Sequence, residues 1–174
     1  MIAIIAVAAV GGVAVYVSLG NEDQSSKPIK IGFLGDLDGV AGKPSWQAVQ
    51  LAVEEINVEG GILGRQVELI GGDHDGGADA IILTNALTKL ITNDNVDFIV
   101  GGVSGQTETV VQNIIAQHKI ICISGATIAD AVTQRVLDDY DRFKYYFSTM
   151  FNATCGKLGM TDSMIHIREL TGFN

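Results

Sequence analysis

Five short apolar runs alternate with stretches of helical period, and this alternation restricts the chain more than any other feature. The runs occupy residues 30–35, 66–70, 97–101, 119–124 and 145–149, and each reads as a strand. Between the first two, Trp46, Val49, Val53 and Ile56 recur at helical spacing, with Pro44 near the start and Gly60-Gly61 past the end. A second helix is predicted over residues 79–92, with Ile82, Ala86 and Leu90 on one face. A third is predicted over residues 107–117, with Val110 and Ile114 on its face. Strands that alternate with helices imply right-handed βαβ units. Nearly continuous apolar strands imply a parallel sheet buried on both faces. The expected fold is therefore a doubly wound parallel α/β lobe.

The termini read differently. Residues 2–19 carry no charge and are nearly long enough to cross a bilayer core, so they read as a membrane anchor or signal segment in the form of a transmembrane helix. No Lys or Arg precedes the run, as a cleaved signal peptide would require, which favours an anchor with the folded part outside the cytoplasm. Residues 20–28 are polar and read as a tether. The ligand-binding lobe then spans residues 29–150. Residues 151–174 read as a crossover and the first helix, near 155–170, of a second lobe that is cut short.

The formal net charge of -9 and the lack of a basic cluster argue against nucleic-acid binding. Two cysteines, Cys122 and Cys155, are too few for a disulfide framework and read as free thiols. Asp73-His74-Asp75 does not make a metal site, because neighbouring residues on an extended strand point in alternate directions. The glycines after the first strand spell neither a dinucleotide fingerprint nor a phosphate loop, so neither catalysis nor a cofactor is indicated.

Ligands of open parallel sheets bind beyond the carboxyl ends of the strands. Three loops qualify, at residues 36–43, 102–106 and 125–128. In the second, Ser104-Gly105-Gln106-Thr107 runs straight into a helix, whose positive end suits a carboxylate. In the third, Gly125-Ala126-Thr127 combines small residues with a hydroxyl. Ser104 and Thr127 are equally suited to be helix caps.

The strings Ile29-Lys30-Ile31-Gly32-Phe33-Leu34-Gly35, Glu54-Glu55-Ile56-Asn57 and Gly60-Gly61-Ile62-Leu63-Gly64 resemble the opening of type I periplasmic binding proteins, specifically the leucine/isoleucine/valine-binding branch. Ile99-Val100-Gly101-Gly102 with Ser104, Ile123-Ser124-Gly125-Ala126-Thr127 and Lys144-Tyr145-Tyr146-Phe147 extend the resemblance over nearly everything after the tether. It implies a two-lobed clamshell that captures an amino acid or related carboxylate or amide and delivers it to an ABC permease in the membrane. It also implies that Ser104, Gly105, Ala126 and Thr127 hold the ligand carboxylate, and it leaves Trp46 either flanking the ligand side chain or serving as a core or lid aromatic. Gly105 departs from the pattern, standing where many relatives carry a second hydroxyl. The same fold also serves as the ligand-binding ectodomain of membrane sensors, which is the alternative role.

Overall fold

The computed structural model describes residues 7–10, 13–16, 27–40, 42–103 and 105–172. Near the N-terminus, β1 (Val7–Val10) pairs antiparallel with β2 (Val13–Tyr16), with Val10 opposite Val13. These eight residues are strand where a transmembrane helix was expected over residues 2–19, the rest of that stretch lies outside the described residues, and among the described residues no helix is long and apolar enough to cross a membrane. The physical reason lies in the pattern. Val-Ala-Ala-Val and Val-Ala-Val-Tyr are β-prone quartets on either side of Gly11-Gly12, a pair suited to two-residue hairpin connections.

The main chain then builds β3 (Ile29–Gly35), α1 (Gly42–Val58), β4 (Val67–Asp73), α2 (Ala80–Thr92), β5 (Phe98–Gly101), α3 (Glu108–His118), β6 (Ile121–Ser124), α4 (Asp130–Asp138), α5 (Tyr140–Phe143), β7 (Tyr146–Ser148) and α6 (Ala153–Thr171). The five expected strands are all present, in the order β4-β3-β5-β6-β7, and every neighbouring pair is parallel. The chain steps from β3 to one side to make β4, then returns across β3 and proceeds the other way. Right-handed crossovers that travel in opposite directions land on opposite faces. Consecutive glycines of β4 record this. A Cβ on Gly71 would meet Trp46 of α1 at 3.3 Å, whereas one on Gly72 would meet Leu90 of α2 at 2.6 Å.

The core fills the α2/α3 face. Leu83, Leu87 and Leu90 of α2 and Val111 and Ile115 of α3 pack with Leu34, Ile99, Cys122 and Tyr146 of the sheet. The expected stripe is met at Leu90 and, in part, at Ala86, but Leu83 and Leu87 are the residues fully buried beside Leu90, and Ile82 stays 38% exposed. Burial on both faces was expected, yet the α1 face is covered only in part. Trp46, Val49, Val53 and Ile56 are half-buried against the β3/β4 side, while Ile121, Ile123 and Phe147 remain 38%, 43% and 52% exposed. Only the first crossover, α1, travels to this side, so one helix must serve five strands.

Local signals explain the ends of the elements. Asp79 accepts the Ile81 and Ile82 N–H groups and caps α2, and Asn152 accepts the Cys155 N–H and caps α6. Asn57 closes α1 onto the sheet edge: its side-chain amide donates to the Val67 carbonyl at 2.8 Å and accepts the Val67 N–H at 2.7 Å. Helix α6 has no buried residue, although Thr154 is tied to Asp130 through its N–H and hydroxyl.

Candidate ligand site at the switch point

Where the winding direction reverses, between β3 and β5, the strand ends splay and leave a crevice. A cleft of about 530 Å³ opens there. Its lining includes Gly35 and Asp36 after β3, His74 after β4, Gly101 to Val103 after β5, and Gly125 and Ala126 after β6, with Ser45 and Val49 of α1 on one side. The loops after β5 and β6 are neighbours because Gly101 and Ser124 are register partners.

The loops are held by their own acids. Asp36 Oδ1 accepts the Gly39 N–H at 2.8 Å and shapes the turn that leads to α1. Asp73 Oδ1 accepts the Asp75 N–H at 2.9 Å and the Leu37 N–H at 3.4 Å, joining the first loop to the end of β4. The carboxylates of the cleft are therefore engaged in shaping backbone.

Gly102 is pinned on several sides. Its N–H donates to the Leu34 carbonyl at 2.8 Å, and its carbonyl lies 3.3 Å from His74 Nε2, which donates there in the Nε2–H tautomer. With φ at 127° it occupies a region that L side chains rarely adopt. A Cβ there would lie 2.6 Å from Ser124 Oγ and 2.9 Å from Glu108 Oε1. Glycine lets the loop descend onto a buried polar cluster.

That cluster centres on Glu108, the first residue of α3, which has no exposed surface. Its Oε2 accepts the Val103 N–H at 2.7 Å and its Oε1 accepts the Tyr146 hydroxyl at 2.6 Å. Burial pushes its carboxyl above the ordinary 4.5, and the hydrogen bonds from Tyr146 and Val103, with the charge of His74, offset that rise only in part. Burial likewise raises the Cys122 thiol and the Tyr146 phenol, with the nearby Glu108 charge adding to both.

A pH dependence follows. The folded chain keeps the Glu108 proton to higher pH than the unfolded chain does, so stability that is complete below pH 4.5 declines as pH rises through the raised pKa. Glu108→Gln has nothing to ionise there. Urea unfolding across the acidic and neutral range should show wild-type stability falling relative to this variant as pH rises. A difference that stays flat would mean that the carboxyl ionises without penalty.

The expected site residues are placed as follows. Ser104 lies outside the described residues. Gly105 is exposed and opens the turn Gly105–Thr107 that leads into α3. Ala126 is exposed on the cleft wall. Thr127 is buried behind it, and its hydroxyl accepts the Ala129 N–H at 3.2 Å, the local turn that precedes α4. Trp46 does not line this cleft. Its ring packs 5.5 Å from that of Phe33 and borders a separate groove with Gln50, Asn57 and Leu69. Sequence reasoning missed Glu108, His74, Ser45 and Tyr146.

Known proteins resemble this chain over most of its length. A family model described as periplasmic binding protein matches residues 28–166. Leu/Ile/Val-binding protein homolog 7 of Brucella melitensis is 28% identical over 131 residues, 74% of this chain and 32% of the relative. The Leu/Ile/Val-binding protein BraC3 of Rhizobium johnstonii is 30% identical over 123 residues, 69% of this chain and 33% of the relative. The crystal structure of the branched-chain amino acid transporter substrate-binding protein LivJ of Streptococcus pneumoniae, in complex with isoleucine, superposes with a TM-score of 0.62. It is 26% identical, and the match covers 72% of this chain and 34% of that one. The chain thus spans about a third of the length of the relatives it matches.

Proposed function

This chain belongs to the periplasmic binding protein family, and from that premise we propose that it supplies the first lobe of a substrate-binding component of an ABC importer. Its ligand is a branched-chain amino acid or a close carboxylate or amide analogue. The family is extracytoplasmic and binds substrates rather than transforming them, and the chain's relatives are Leu/Ile/Val-binding proteins. In this reading residues 29–150 form the lobe, residues 151–174 begin the passage to a second one, and an ABC permease receives the ligand.

The observation that carries the proposal is convergence at the switch point. Gly35, Gly101, Gly102, Gly125 and Ala126 bring backbone from three strand ends to one cleft beside the start of α3. Small residues let main chain approach a small ligand closely, and the helix start favours its carboxylate. Gly105 and Ala126 present main chain, Ser104 adds a hydroxyl, and Thr127 shapes the β6 loop from behind. Trp46 acts on the ligand only indirectly, as an anchor of α1.

Titration of the isotope-labelled chain with L-isoleucine, followed by amide resonances, tests the reading. Binding should be weak, because a single lobe leaves the ligand open to water. The shifts should concentrate at Gly105, Gly125 and Ala126. Shifts confined to the Trp46 groove, or none at high millimolar ligand, would refute it. Ser104→Ala should weaken binding by about 1 to 3 kcal/mol, the cost of leaving a charged acceptor without one of its donors. An unchanged dissociation constant would return Ser104 to a purely capping role.

A further inference from the structure

We propose that Glu108 is a positioning residue for the ligand loop: its carboxylate holds the Val103 N–H from below and the Tyr146 hydroxyl from the start of β7, and so sets the backbone course at Gly102 and Val103. The inference rests on the reading that this rim receives the ligand.

Three observations carry it. Glu108 is fully buried, which is rare for a glutamate and is tolerated only when its oxygens are engaged. Both oxygens are engaged, one by Val103 within the loop and the other by Tyr146, the first residue of β7, which supports the loop from the core. The loop is also built to reach the carboxylate, since a side chain on Gly102 would collide with Glu108 and with Ser124. A glutamate serving only as a helix-start acid would need none of this, because solvent exposure is enough for that role.

The surrounding groups complete the clamp. Ser124 closes β6, His74 follows β4 and Tyr146 opens β7, so groups from three strands surround one carboxylate. Among the described residues His74 Nδ1 has no hydrogen-bond partner, so the imidazole is fixed through Nε2 at Gly102 alone. The Gly102 carbonyl is thereby held by His74 while the next N–H, that of Val103, is held by Glu108. Both ends of the one peptide group between Gly102 and Val103 are thus fixed by buried side chains before any ligand arrives, which lowers the ordering cost of binding.

The test is L-isoleucine titration of wild type, Glu108→Ala and Glu108→Gln, read by amide resonances, which report the dissociation constant of folded molecules only. Glu108→Ala should weaken binding about tenfold, since the Val103 N–H loses its acceptor. Glu108→Gln keeps an acceptor for that N–H and should stay within about threefold of wild type. Should Glu108→Ala fail to fold, Tyr146→Phe removes one partner of the carboxylate and keeps the ring. It should move the Val103 and Gly105 resonances and leave those of α2 in place. Wild-type binding that Glu108→Ala matches, or Tyr146→Phe with unmoved Val103 and Gly105 resonances, overturns the positioning role alone. A wild type that shows no isoleucine shifts at the rim overturns the site reading and this inference with it.

Discussion

Gly101→Ala is expected to destabilise the lobe by about 2 to 5 kcal/mol, combining backbone strain with a collision that cannot be relieved locally. Gly101 has φ at 104°, and a Cβ built on it would lie 2.2 Å from the Leu34 carbonyl oxygen. Leu34 is its register partner on β3, so the obstacle is the backbone of the central strand rather than a flexible side chain. To make room, β5 would have to separate from β3 where the cleft begins. Urea unfolding with an unchanged m-value is the appropriate measurement. A loss below about 1 kcal/mol would show that the strand end shifts freely and that the crevice is not rigid.

Leu34→Ala should cost a similar amount, about 2 to 5 kcal/mol, because it removes a fully buried side chain from the centre of the core. Leu34 lies directly below the rim: its carbonyl accepts the Gly102 N–H, and it packs in the cluster that includes Val103. The cavity therefore opens beneath the loop. Thermal unfolding should register the loss of stability, and the Val103 and Gly105 resonances should shift with it. A variant as stable as wild type would mean that neighbouring leucines collapse into the space.

Much of this architecture was legible because its signals are local. Each strand is a short apolar run, Asp79 and Pro44 mark helix starts, and Gly60-Gly61 follows the end of α1. The cleft could be located as well, since a parallel sheet binds at its carboxyl rim whatever its ligand. Helix α4 went unread because it is short: Val132 is buried and Val136 packs on the core one turn later, too few repeats over nine residues to establish a period. The N-terminal pairing was obscured by hydrophobicity: the lack of charge suggested a span, while the β-branched quartets around Gly11-Gly12 were the better guide.

Glu108 was missed for a different reason. A glutamate at a helix start ordinarily faces solvent, and its burial here depends on Tyr146, which is 38 residues away in sequence. No periodicity reports such a contact. Gly101-Gly102 shortly before an acidic helix start was the available hint, because paired glycines at a strand end signal a close approach by something else. Trp46 illustrates the converse. Its place at the start of α1 suited either a contact with the ligand or a core aromatic, and the helix turns the ring onto Phe33 and leaves Ser45 facing the cleft.

The division of labour between strand ends and core bears on how such a lobe can change over generations. Asp36, Gly42, Ser45, Gly102, Val103, Gly125 and Ala126 lie in short segments that border the opening, whereas the packed layer of α2 and α3 lies beneath it. Drift in these short segments can retune what is captured without disturbing the layer that holds the lobe together. Gly101 and Gly102 belong to both regions, so lineages that explore new cargo should vary around this pair and retain it.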